Sequence, residues 1–261
     1  MRIRTLAVLV LALSLTSCAT TPITGRSRLR SPIPLQTELQ LGLDAYAEAK
    51  STSKLITSGP DFEMLQRIGQ RVAVVAEQMI PEPTSAFNWE FILIDQPETV
   101  NAWVLPGGKT AVFTGLLPIT QDEEGLAAVM GHEIAHAVLQ HGVERMTQQD
   151  LLQVTLGLAS VVLGDMTSPQ HDATLQALSG LSSVGIALPF SRTHESEADE
   201  VGLYFAAAAG YDPYAVIDLW ERMAENSDGI LPEILSTHPS HGTRIADLQQ
   251  WMPIALEFYE R

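Results

Sequence analysis

The chain has 261 residues, 46% of them hydrophobic, enough to bury one good core and cramped for two domains. Its 15 basic residues stand against 31 acidic ones, a formal charge of −16 that repels nucleic acid and offers no positive groove for phosphates. A nucleic-acid partner is excluded, and one catalytic-sized domain is the default.

Residues 1–17 read as an address rather than as part of the fold. Arg2 and Arg4 precede an apolar stretch, Leu6 to Leu15, which is well short of the roughly 20 residues a spanning helix needs. Leu15-Thr16-Ser17-Cys18 follows and is similar to a bacterial lipobox. Residues 1–17 are therefore expected to be a lipoprotein signal peptide, and Cys18 the lipid-bearing start of the mature chain, attached to a membrane through that lipid. Ala19, in place of an aspartate, favours the periplasmic face of the outer membrane by the same similarity. Cys18 is the only cysteine, so no intramolecular disulfide is available.

Pro22, Pro32 and Pro34 suit an extended tether over residues 18–35, with core contacts expected only from Leu35 onward. Residues 36–50 and 62–80 show the three- and four-residue apolar spacing of amphipathic helices, the second through Met64, Leu65, Ile68, Val72, Val75 and Met79. Trp89 to Asp95 and Ala111 to Thr114 are short β-favouring runs, with Pro106-Gly107-Gly108 as turn chemistry between them. A mostly helical α+β domain over residues 36–261, with a small sheet, is the expected architecture.

A helix expected over Asp122 to Met146 holds the pattern richest in chemistry. His132 and His136 stand four apart, on one face and about one turn from each other, the spacing with which two imidazoles grip one zinc ion. Such a pair also occurs as packed or solvated histidines. Glu133, next to the first, is placed to take a proton from a zinc-activated water without ligating the metal. Leu126 to Gly131 are apolar and small, suiting a buried helix, and Gly131 permits close backbone approach. His141 on a continued helix would point away from the metal and reads as a capping or core histidine.

A catalytic zinc takes three protein ligands and leaves one position for water. Glu195 and Asp199, at i and i+4, share a face of the next acidic helix. That lets Glu195 bind zinc while Asp199 accepts a hydrogen bond from the far nitrogen of a ligating histidine. Glu197 and Glu200 are expected to face elsewhere, and the whole run also fits an ordinary solvated helix. Between these motifs, Leu151–Leu163 and Leu181–Leu188 are apolar but too short to span a bilayer, and read as helices covering the site.

His132-Glu-Ile-Ala-His136, then Ser191 to Asp199, then Thr237-His238-Pro239 with Arg244 behind it, together resemble metallopeptidase family 48 over roughly residues 36–250. Within it, the likeness is to small periplasmic lipoprotein proteases. The resemblance implies a zincin-like catalytic domain of the gluzincin type holding one zinc ion per chain. His132, His136 and Glu195 would be its ligands, Glu133 the general base and acid, Asp199 their supporting partner. It further implies that Asn101-Ala102-Trp103 belongs to an edge strand that pairs with extended peptide substrate, an arrangement the same residues would share with a plain hairpin. His238, with Arg244 in the same pocket, would either stabilise the oxyanion or, as in some members, fill the open zinc position and hold the enzyme latent. The implied activity is cleavage of internal peptide bonds in misfolded or envelope proteins, in periplasmic or outer-membrane protein quality control. The alternative is a chaperone-like assembly factor with latent protease activity.

Overall fold

A computed structural model describes residues 18–149, 190–225, 233–238 and 242–260. The expected signal peptide and the apolar runs Leu151–Leu163 and Leu181–Leu188 lie outside these residues. The chain divides into two units, Met1–Pro34 with Val143–Ile186, and Leu35–Gly142 with Ala187–Arg261.

In the first unit the stretch expected as a plain tether instead contains a hairpin. Strand β1 (Cys18–Thr20) pairs antiparallel with β2 (Ser27–Leu29), Ala19 opposite Arg28. Thr21 is buried in the turn, its Oγ1 hydrogen-bonded to Thr24 Oγ1 at 2.7 Å. Arg26 grips the buried Glu144 carboxylate through both terminal nitrogens, at 3.0 and 2.7 Å. Proline spacing signals an extended backbone but not this distant acidic partner.

The second unit runs α1 (Leu35–Thr52), β3 (Leu55–Ile56), α2 (Pro60–Met79), α3 (Pro81–Thr84), β4 (Glu90–Ile94), β5 (Ala102–Leu105), β6 (Lys109–Phe113) and α4 (Leu117–Thr120). It continues through α5 (Glu123–Val138), α6 (Arg192–Ala208), α7 (Ala215–Glu225), α8 (Glu233–Thr237) and α9 (Arg244–Tyr259). Among the described residues it is thus mostly helical, with one small sheet, as the sequence leads one to expect. Leu65, Ile68 and Val72 of α2 are buried, with Met64, Val75 and Met79 packed at the core's margin, so the three-four spacing does mark its inner face.

The sheet order is β3-β4-β6-β5, with β4 and β6 parallel and the other pairs antiparallel. β5 is therefore an edge. It turns into β6 through Pro106-Gly107-Gly108, where the Leu105 carbonyl accepts from Gly108 N–H at 3.2 Å and Gly107 has a φ of 83°. A Pro-Gly turn of this kind needs a left-handed residue at that place.

α5 is buried on all sides from Gly125 to Val138, which is why its sequence is apolar and small all round rather than along a stripe. Asp122 caps it, its Oδ1 accepting from Gly125 N–H at 2.9 Å. The expected single helix to Met146 is broken: α5 ends at Val138, Gln140 takes a left-handed φ of 58°, and the chain is helical again from His141.

α5 and α6 cross with no side chain between them. A Cβ on Gly131 would lie 2.4 Å from the Gly202 carbonyl oxygen, and one on Gly202 would lie 2.7 Å from the Gly131 carbonyl carbon and from His132 N. Both contacts are with backbone, which cannot rotate aside. Gly202→Ala is expected to destabilise the chain by about 1–3 kcal/mol through this overpacking, seen as a lower midpoint of urea unfolding. A midpoint equal to the parent's would show that the helices separate freely.

Candidate metal centre

The crossing places the last two turns of α5 against the first turns of α6. α6 starts where Ser191 caps it, its Oγ accepting from His194 N–H at 3.2 Å, so Glu195 and Asp199 fall in the opening turns, facing α5. α8 delivers His238 just beyond its end, and Arg244 opens α9. Four separate stretches of chain thus meet at one place.

His132, His136, Glu195 and His238 are all buried, and their donor atoms lie within 4.8 Å of one another. His132 Nε2 is 3.1 Å from His136 Nε2 and 3.2 Å from His238 Nδ1. Glu195 Oε1 is 3.1 Å from His238 Nδ1 and 3.3 Å from His136 Nε2, and Glu195 Oε2 is 3.5 Å from His132 Nε2. Donors each bound about 2.0–2.1 Å from one tetrahedral zinc ion are themselves about 3.3–3.4 Å apart. The cluster therefore fits a single zinc ion, and a set of nitrogen and carboxylate donors suits that metal.

The hydrogen bonds behind the cluster point the same way. His132 Nδ1 is 2.9 Å from Asp199 Oδ1, and Asp199 Oδ2 in turn accepts from Arg244 Nε at 2.5 Å. A carboxylate is acceptor only, so Nδ1 carries a proton, and Nε2 is the atom that faces the cluster and would ligate a metal. Arg244 Nη2 also donates to Glu195 Oε2 at 2.8 Å, and its guanidinium lies 3.6 Å from the centre of the Trp220 ring. Asp199 and Arg244 thus lie side by side behind His132 and Glu195.

Burial and neighbouring charge pull the protonation of the donors in opposite directions. Burial lowers the pKa of His132, but the Asp199 and Glu195 carboxylates outweigh it and raise it to about 10. His136 goes well below the usual histidine range through burial, against the pull of Glu195. Burial would raise Glu195, yet the surrounding histidines hold it well below the carboxylate range. The carboxylates around His132 thus favour positive charge at this place.

Glu133 is buried beside the cluster, and its Oε1 accepts no hydrogen bond; the nearest donor candidate, His238 Nε2, is 3.5 Å away. His238 therefore stands between the donor cluster and Glu133, one ring nitrogen toward each. Phe190 lies against two of the donors, with ring centroids 4.1 Å from His136 and 5.2 Å from His238.

Two residues depart from expectation. His141 is buried, as a core histidine would be, but instead of pointing away it lies with Nδ1 3.0 Å from His136 Nδ1, the left-handed Gln140 breaking the helix before it. Glu197, read as facing elsewhere, is buried and 3.0 Å from His141 Nε2. The residues expected to bind substrate lie at the edge strand: Ala102 and Trp103 on β5, Asn101 just before it. Asn101 is buried and its Oδ1 accepts from Ala102 N–H at 2.9 Å, so its amide holds the strand itself. Trp103 packs edge-on to Tyr46, with centroids 6.4 Å apart.

Arg244 neutralises two buried carboxylates at once, which makes Arg244→Met a sharp probe. Removing their shared cation is expected to cost about 3–5 kcal/mol in the metal-free chain, measured by urea unfolding, with added zinc restoring part of the loss. A variant as stable as the parent would show that the three groups do not depend on one another.

Comparison with known proteins agrees with this geometry. Peptidase family M48 matches residues 61–252. The chain is 37% identical to the mitochondrial metalloendopeptidase OMA1 of Schizosaccharomyces pombe, over 90% of this chain and 66% of that protein. It is 36% identical to the mitochondrial metalloendopeptidase OMA1 of Bos taurus, over 92% of this chain and 47% of that protein. With the beta-barrel assembly-enhancing protease of Escherichia coli it shares 29% identity over 88% of its length and 47% of that protein's. The chain thus spans about half to two thirds of these relatives. Their names correct the outer-membrane location read from Leu15 to Ala19: the stronger matches are to mitochondrial proteins, and the bacterial one is weaker. A positive start, a short apolar run and one cysteine are too little sequence to fix a destination. The family match covers most of the chain and contains all four clustered donors, and on that ground the chain belongs to peptidase family M48, whose metalloproteases are zinc-dependent.

Proposed function

We propose that the chain is a zinc-dependent endopeptidase that hydrolyses internal bonds of unfolded or misfolded polypeptides, in protein quality control. The observation that supports it most is the convergence of four buried donors beside a buried carboxylate, Glu133 Oε1, that accepts no hydrogen bond. Zinc, when bound, lowers the pKa of a water toward ~7 and polarises a carbonyl.

The chain's own groups supply the rest. His132, His136 and Glu195 hold the metal, and Asp199 keeps the His132 proton on Nδ1 so that Nε2 is free to ligate. Glu133 Oε1 takes the proton of the attacking water and passes it to the departing amine. Hydrogen bonding alternates along β5: the Asn101 carbonyl accepts from Phe113 N–H, so residues 101, 103 and 105 face β6 while Ala102 and Val104 turn their backbone groups outward. An extended segment of substrate adds there as a further strand, with Ala102 N–H already taken by Asn101. Only an unfolded stretch can offer such a strand, which is the physical support for misfolded substrates.

His238 decides the resting state. Its Nδ1 lies among the donors, so it would compete with water for the position a three-ligand zinc leaves open. This favours a latent enzyme over an oxyanion role, and it is also the observation behind the second reading, a chaperone-like assembly factor that seldom cuts.

Casein cleavage by the full chain, with zinc content measured alongside, tests both readings. Glu133→Gln is expected to keep one zinc and lose essentially all cleavage, and His238→Ala to keep zinc and cleave faster than the parent. Undiminished cleavage by Glu133→Gln would sink the endopeptidase mechanism. Cleavage lost in His238→Ala would instead give His238 a part in the transition state.

A further inference from the structure

His141 and Glu197 have no part in that mechanism, yet both are buried and joined to it. His136 Nδ1 is 3.0 Å from His141 Nδ1, and His141 Nε2 is 3.0 Å from Glu197 Oε2. The protons on this chain of atoms have one consistent arrangement. His136 needs a bare Nε2 to face the other donors, so its proton sits on Nδ1. At 3.0 Å that N–H requires a bare Nδ1 on His141, whose own proton is then on Nε2 and is accepted by the Glu197 carboxylate. With His136 Nε2 bare for the metal, any other arrangement sets two lone pairs or two N–H groups against each other.

We propose that His141 and Glu197 are positioning residues for His136, fixing its tautomer and ring orientation for zinc as Asp199 and Arg244 do for His132. The proposal rests on the metal-binding reading above. A ligating histidine held through its other nitrogen is both more basic and unable to rotate. The arm is itself pinned: the left-handed Gln140 sets the return of the chain, and the His141 ring stacks on His194 with centroids 4.7 Å apart and planes 24° apart. Both ligand histidines of α5 are then held from behind by carboxylates of α6, His132 directly by Asp199 and His136 through His141 by Glu197.

A packing role and a positioning role predict opposite orders for two substitutions. Phenylalanine keeps the ring and its stacking but has no acceptor, whereas asparagine loses ring volume but sets an acceptor close to the place of Nδ1. The measurement is zinc affinity of the full chain by competition with a chromophoric chelator. His141→Phe is expected to bind zinc about 10–100-fold more weakly than the parent, and His141→Asn to recover much of that loss. Parent-like affinity in His141→Phe, or weaker binding in His141→Asn than in His141→Phe, would overturn the proposal. Should His141→Phe fail to fold because Glu197 is left buried without its donor, the pair His141→Phe with Glu197→Leu removes both polar partners and reads the same quantity. Weak zinc binding by that folded double variant supports the arm, and parent-like binding overturns it. A parent that binds no zinc sinks the metal reading and this proposal together, while a parent with one zinc and indifferent variants sinks this proposal alone.

Discussion

The close crossing of α5 and α6 is the constraint on which the site depends. Gly131 immediately precedes His132, and Gly202 follows Asp199 by three residues and Glu195 by seven, on one helical face. Ala206, one turn further along that face, is the next neighbour of Gly131. Carboxylate, carboxylate, glycine, alanine thus descend α6 in the order ligand, support, contact, contact. Any side chain at the glycines would separate the helices by more than a hydrogen bond can stretch. The second helix is then close enough for Asp199 Oδ1 to reach His132 Nδ1 at 2.9 Å.

That proximity has an electrostatic consequence. Glu133, Glu195 and Asp199 are all buried within a few side chains of one another, and Arg244 pairs with the last two. Buried like charges repel strongly in a medium of low dielectric constant. A dication among the donors would offset that repulsion, and the same carboxylates raise the pKa of His132 to about 10 against the effect of burial. The lowering of Asp199, which burial opposes and Arg244 and His132 bring about, belongs to the same balance. The spacing of the donors fits one cation, and the charge of the surrounding carboxylates is compatible with it.

How much of this is legible in the sequence depends on whether the relevant geometry is local. His132 with His136, and Glu195 with Asp199, are set by helical periodicity within one turn, so spacing suffices. Gly131 as a point of close approach is legible too, though its partner Gly202 is not, because nothing in one helix names the residue it will meet. His141 escapes sequence reading for a specific reason. Extended as a helix, it would lie five residues past His136 and point away, and only the left-handed Gln140, a residue with no special claim to that conformation, brings it back. Glu197 then follows His141, since an acid two places from a ligand is solvated unless another part of the chain covers it. The hairpin at residues 18–29 is missed in the same way, because Arg26 finds Glu144 across more than a hundred residues.

His238 shows how a residue remote in sequence becomes part of the site by backbone attachment. Ile234 N–H donates to the Val100 carbonyl at 3.0 Å, two residues before β5, and the Thr237 carbonyl accepts from Phe190 N–H at 2.9 Å, just before α6. His238 N–H closes the turn on Ile234 at 2.8 Å. The segment is thus fastened to the substrate edge at one end and to the ligand helix at the other. Rotation of the imidazole alone preserves all three bonds, whereas withdrawal of the backbone breaks them at about 0.5–1.5 kcal/mol each. In either case Glu195 Oε1 loses a partner at 3.1 Å and Glu133 loses its nearest imidazole. On the proposed mechanism, the fourth donor position and the space before Glu133 would therefore open in one motion, so a latch on the metal would at the same time be a cover on the base.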